Sequence, residues 1–371
     1  LNTIDNNYTY AFPAIRGLQA KKEYYVTMFP LKLVTKIFFN DLQELPPEYR
    51  AQRVINRSRL PEIARYIIDN PEDYVFSSLT ASIDGDLKFI PFSQESQFSD
   101  LGNLIISMDS KFLINDGQHR RAAIEEAIQH RPELGNETIS IVFFRDEGLR
   151  RSQQMFSDLN KHAVNTTKSI GILFDHRDPI RNLTLELIES IDLLRDFTDK
   201  EGNSIPKFSP KIFLLSNIYE ANKLILSDFN KNEIESTEKE FIFKYWSLIC
   251  NNIKEWQQVK NKQLNASALR DNYIHSYGIT LESLGAIGNF LLKNGKHLLT
   301  EDFINKLNNI NWSRQNLEDW KDRAIGPNGR ITKNKQCVVL TANIIKKRLG
   351  LALTQEENII ESRFEQNKRR K

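Results

Sequence analysis

Asp116-Gly117-Gln118-His119-Arg120-Arg121 gathers a carboxylate, an amide, an imidazole and two guanidinium groups in one run. The run follows the apolar stretch Phe112–Ile114 and opens a segment with helical spacing. The first turn of a helix has unpaired N–H groups and the positive end of the helix dipole. Cations placed there oppose the dipole, so they add little to helix stability. They suit an anion docked on the helix end, such as a phosphate. Asp116 is the expected N-cap, accepting from the amides of Gln118 or His119. Gly117 gives the chain its turn and brings a ligand close to the backbone. The same residues would equally serve a capped helix whose arginines pair with nearby carboxylates.

A second set lies in "DLNKHAVNTTKS", Asp158 to Ser169, with Asn160, His162, Asn165, Thr167 and Lys168 as short polar donors and a cation. Such a set holds phosphates or a sugar; as a plain loop it would cap the next helix through Thr166 or Thr167. It lacks the glycine pattern of a Walker loop. Arg57 and Arg59 precede a short helix and are either pocket or surface residues. Ser77 and Ser78 interrupt an apolar strand. Asp175 and Asp178 flank His176 and Arg177; their spacing invites a metal, and the arginine between them favours internal salt bridges. His130, His275 and His297 have no ligand spacing. Trp246, Trp256, Trp312 and Trp320 read as core.

The elements that position these residues alternate at first. Glu23–Phe29 is β-rich, and "LKLVTKIFF" is helical until "ELPPEYR" breaks it. Pro61 suits the first turn of a short helix with Ile63, Tyr66 and Ile67 along one face, ending by Asn70-Pro71. "YVFSSLTASIDGDLKFIPF" reads as a hairpin turning at Asp84-Gly85. "NLIISM", "KFLIN" and "ETISIVFF" are further strands, and "GLRRSQQMFSDLN" is a helix. Beyond about residue 170 helical periods prevail, so the expected domains are 1–170 and 171–371. Near the end, Gly-Pro-Asn-Gly signals a turn, "QCVVL" is a candidate short strand and "TANIIKKRLGL" a basic amphipathic helix.

The 371 residues carry a net charge of +3, with 40 % hydrophobic residues, so the chain has material for real cores. The segment Asn311–Lys371 holds 14 Lys and Arg against 7 Asp and Glu, leaving the rest faintly acidic. A basic end on such a body fits a nucleic-acid contact, through Lys346, Lys347 and Arg348, or a solvated tail. Two cysteines, Cys250 and Cys337, make no disulfide framework, which points to a reducing, cytoplasmic setting. No apolar run is long enough to span a bilayer, and no leader pattern opens the sequence.

"INDGQHRRAAIEEA" resembles the signature of DGQHR-domain proteins. With "IRGLQAKKEYYVTMFPLKLV", "RSRLPEIARYIIDNPEDYVFSSLTASIDG", "SQQMFSDLNKHAVNTTKSIGILFDHRD" and "TANIIKKRLGLALT", most of residues 12–355 is similar to the DndB family of DNA sulfur modification. The resemblance implies an α/β (α+β) N-terminal domain of the ParB/sulfiredoxin-like type and a mainly α-helical C-terminal domain. It implies Asp116 through Arg121 as a nucleotide or phosphate site, bordered by the loop of Asn160, His162, Thr167 and Lys168. Sulfiredoxins carry a reactive cysteine in this region; here there is none. A serine kinase of the same fold group has a similar Asp-Gly-His-His-Arg run, yet no second carboxylate is assignable as a base.

Two functions follow. The first is a repressor binding double-stranded DNA at the promoter of its own phosphorothioate-modification operon, as a homo-oligomer, alongside other modification proteins. Arg57, Arg59 and the basic helix are its DNA candidates. The second is an accessory enzyme using ATP and magnesium, with Asp116, Gln118 and His119 as catalytic candidates, as is thought of related DGQHR proteins. A nucleotide-sensing scaffold without chemistry is a third.

Overall fold

The computed structural model describes residues 8–38, 60–95, 98–148, 154–155, 158–159, 166–229 and 233–370. The chain divides into two compact units, Leu1–Val164 and Asn165–Lys371.

The first unit is a mixed β-sheet with helices. Its strands are β1 (Thr9–Gln19), β2 (Lys22–Pro30), β3 (Leu79–Asp84), β4 (Leu87–Pro91), β5 (Leu101–Ser107), β6 (Lys111–Asp116) and β7 (Thr138–Arg145). Among the described residues its bounded helices are α1 (Leu31–Ile37), α2 (Leu60–Asp69) and α3 (Gln118–His130). Strand order is β4-β5-β1-β2-β7-β3-β6, antiparallel except for β3 beside β7. Alternation puts Leu79, Ala81, Ile83, Ile139, Ile141 and Phe143 into the core, with Val34, Ile67, Ala123, Ile124 and Ala127 from the three helices.

The expected hairpin at Asp84-Gly85 does not form. β3 and β4 are both strands, but β3 pairs with β6 and β7 while β4 pairs with β5. Only Gly85 and Asp86 join them. That link spans at most about 11 Å, whereas five strand spacings in a flat sheet are about 24 Å. The sheet therefore curls until its two ends come together. The link from β5 to β6 does the same, and Arg145 Nη2 of β7 donates to Leu87 O of β4 at 3.2 Å across the closure. β1, interrupted by Pro13 and Gly17, was not legible as a strand.

The second unit is mainly helical. It comprises α4 (Lys168–Phe174), α5 (Pro179–Ser190), α6 (Asp192–Phe197), α7 (Leu215–Ile225), α8 (Ser236–Asn252), α9 (Lys254–Lys260), α10 (Ala266–Asn272), α11 (Gly278–Asn294), α12 (Glu301–Asn305), α13 (Leu317–Trp320), α14 (Lys335–Leu349) and α15 (Gln355–Arg370). Two short parallel strands, β8 (Thr198–Asp199) and β9 (Phe213–Leu214), lie among them. α7 and α11 approach so closely that a Cβ on Gly285 would stand 2.5 Å from Ala221 O. All four tryptophans are buried, and each indole N–H has an acceptor: Asn222, His275, Leu307 O and Asn311 O. "QCVVL" lies inside α14 and is not a strand, because Asn334 caps the helix through Cys337 N–H at 2.9 Å.

Candidate functional site

The run from Asp116 to Arg121 sits where β6 turns into α3. β3 and β6 lose register between Thr80 and Ala81, opposite this strand end. Asp116 is still strand, and the turn is made by Gly117 at φ +101°. A Cβ there would meet Leu79 Cδ2 at 2.4 Å, so any other residue is strained in backbone and packing. This corrects the expected cap: the N-cap position is Gly117, and among the described residues no side chain caps α3.

Asp116 instead pairs with Arg120, Oδ2 to Nη2 at 2.5 Å. Arg120 Nη1 donates to Ser77 O at 2.7 Å, Ser77 Oγ at 2.5 Å and Ser78 O at 2.8 Å. Arg120 thus straps the segment leading into β3 to the end of β6. Its side chain is only 18 % exposed. Ser78 Oγ lies 2.6 Å from Ser140 Oγ. Gln118 Nε2 folds back onto Ile114 O and Asn115 O, at 3.1 and 3.3 Å.

Arg121 points the other way. It is buried, with Nη2 3.4 Å from Thr35 O and Nη1 3.2 Å from Glu125. Its Nε has no hydrogen-bond partner among the described residues. Burial lowers its pKa, and Glu125 opposes that shift. His119 is half-buried. The run therefore does not present two free arginines. Its outward resource is the first turn of α3, whose amides have no side-chain cap.

Asn115, one residue earlier, was not singled out from sequence. It is buried, donating to Ser82 Oγ at 2.6 Å and Met155 Sδ at 3.3 Å, while its Oδ1 has no partner among the described residues. An amide inside the apolar run "FLIN" was the available signal.

Arg57, Arg59, Asn160, His162 and Asn165 lie outside the described residues. Thr167 and Lys168 belong to the second unit. Thr167 Oγ1 caps α4 by accepting from Ile170 N–H at 3.1 Å and donates to Glu201 O. Lys168 Nζ pairs with Glu220 at 2.7 Å. Asp178 caps α5, accepting from Ile180 N–H at 2.8 Å and from the Tyr219 hydroxyl at 2.5 Å. Its carboxylate is thus engaged in capping, where the sequence had offered a metal or a salt bridge. Burial and Asp178 push the Tyr219 hydroxyl pKa well up.

The basic helix is α14, and the three cations at its C-terminal end have internal partners. Lys346 is buried, with Nζ 2.6 Å from Glu357. Lys347 pairs with Glu361 at 2.6 Å, and Arg348 with Asp319 at 3.1 Å. Arg323 joins Glu361 through both Nη atoms, at 2.9 and 2.7 Å. Burial alone would raise the Glu361 carboxyl; hydrogen bonds from Arg323, Lys347 and Asn343 outweigh it and bring its pKa to about 2. Among the described residues no helix is long and apolar enough to cross a membrane.

Compared with family models, residues 12–352 match DndB, described as DNA-sulfur modification-associated. No curated protein and no solved structure matches the chain.

Proposed function

The chain belongs to the DndB family, associated with DNA sulfur modification, and we propose that it acts there as a DNA-binding repressor of its own modification operon. The observation that carries this reading is the extent of the match, which spans most of both units and runs through α14. The cation excess between Asn311 and Lys371 supports double-stranded DNA as the partner. Other modification proteins are further candidate partners. Binding as a homo-oligomer would match a repeated operator. The first unit is read as ParB/sulfiredoxin-like, with a nucleotide tuning DNA affinity. The test is transcription from the operon promoter fused to a reporter, with and without the chain. Repression that needs the chain and the native promoter is expected. Equal expression in its presence and absence would overturn the reading.

A second reading, an ATP-using accessory enzyme, is favoured by the uncapped first turn of α3 behind Gly117. That turn fits a phosphate: amide donors, dipole and close backbone approach act together. Gln118 and His119 stand beside it as candidates to orient a nucleophile. The fit to magnesium is poorer. The Asp116 carboxylate is spent on Arg120, so a metal would gain it only by breaking that pair. Turnover of ATP that disappears in His119→Ala, with DNA binding and the unfolding midpoint unchanged, would put this reading first.

A further inference from the structure

α15 carries Glu357, Glu361 and Glu365 one turn apart, so all three lie on one face. That face lies on cations. Lys346 meets Glu357, Lys347 and Arg323 meet Glu361, and Arg323 Nη2 reaches Glu365 at 3.3 Å. Asn343 donates to Glu361 at 3.1 Å. The attachment is chiefly electrostatic. Glu361 is the buried residue of α15 among those described, while Ile360 and Phe364 are half-buried and Ile359 is exposed. α14 is held differently, burying Val338, Ala342, Ile345 and Leu349 in the core of the second unit. A cleft of about 330 Å³ separates part of α15, at Phe364, Asn367 and Lys368, from Ile325, Pro327 and Thr332.

We propose that the cationic face formed by Lys346, Lys347 and Arg323 is a DNA-backbone surface, and that α15 covers it as an internal anion. The inference rests on the DNA reading above. A carboxylate row is a modest polyanion, with about one charge per 6 Å of helix. Duplex DNA carries about one per 1.7 Å of axis and releases counterions when cations bind it. Exchanging one anion for another keeps each buried cation paired, which avoids the large cost of an orphaned charge. α14 stays seated during the exchange because its apolar side is untouched.

The test uses the full chain and a 30-base-pair duplex, titrated by fluorescence anisotropy over a salt series. Glu357→Gln combined with Glu361→Gln should bind at least about tenfold tighter at low salt than the parent. Its log–log salt slope should steepen by about 2 to 3, one unit for each cation freed. Because the double variant leaves Arg323 short of a partner, hydrogen exchange on the unaltered chain supplies an independent readout. Saturating duplex should strip protection from α15 amides and leave α14 protected. DNA binding with α15 protection unchanged overturns the inference and leaves the DNA reading standing. An equal affinity and slope in the folded variant does the same. Binding by neither protein at low salt overturns the DNA reading and the inference with it.

Discussion

Arg120 shows how an expected ligand contact becomes a structural one. Its guanidinium holds Asp116, Ser77 and Ser78 together. Arg120→Ala should lower the stability of the first unit by about 2–4 kcal/mol, since it leaves Asp116 and two carbonyls short of a donor. Denaturation followed by far-UV circular dichroism measures this; an unchanged midpoint would show that the strap is unimportant. Arg120→Ala is thus a poor probe of ligand binding, because lost activity would follow from lost structure. Gly117→Ala should cost about 1–3 kcal/mol through its left-handed backbone and the Leu79 clash. The composition of the run was legible in the sequence as a strand-to-helix junction. The direction of each side chain was not. Arg120 and Arg121 are adjacent, and a helix sends neighbours about 100° apart. Which arginine meets the Ser77–Ser78 segment depends on how β3 lies beside β6, a contact far away in sequence.

At the scale of elements, local pattern was read well and pairing poorly. Of the α3 stripe Ala123, Ile124, Ala127 and Ile128, the first three are buried as their spacing requires and Ile128 is half-buried against the same core. The β3 and β4 runs are strands as their composition suggests. Their partners are set by the curl of the whole sheet, which two adjacent runs cannot reveal. "QCVVL" has strand composition, yet it continues into a longer helical stripe and is capped by Asn334. Caps were legible in part: Thr167 caps α4 as its short polar run suggests, Asp116 does not cap α3, and Asp178 is a cap that the sequence reading had assigned to a metal or a salt bridge. Asp178-Pro179 opens α5 with a capping carboxylate and proline in the first turn. Asp178→Ala should destabilise the second unit by about 1–2 kcal/mol, and Asp178→Asn should restore most of it. Equal loss in both variants would place the effect in the charge and not in the cap.

At the scale of the molecule, the two units have separate cores, and all four tryptophans lie in the second. Tryptophan emission therefore reports the second unit alone. Its core holds His275, fully buried among Trp256, Trp312 and Tyr273. Trp256 Nε1 donates to His275 Nδ1 at 3.0 Å, which puts the ring proton on Nε2, 3.4 Å from Glu255. Burial lowers the His275 pKa from its ordinary 6.5, against the pull of Glu255. The unfolded chain thus takes up a proton first as pH falls. Stability from neutral His275 is complete above pH 6.5 and is lost progressively below it. The denaturation midpoint read by tryptophan emission should decline from pH 7.5 to pH 5, a range of about 2.5 units that brackets an ordinary histidine. A flat midpoint over that range would contradict the assignment.

The most direct test of the whole account is DNA binding by the full chain. A duplex from the promoter of its own modification operon is compared with a shuffled duplex of equal length, from low to physiological salt. The account predicts promoter binding at least about 10³-fold tighter than the shuffled duplex at physiological salt. Equal affinities that vanish together as salt rises would contradict it, leaving only non-specific attraction to phosphate.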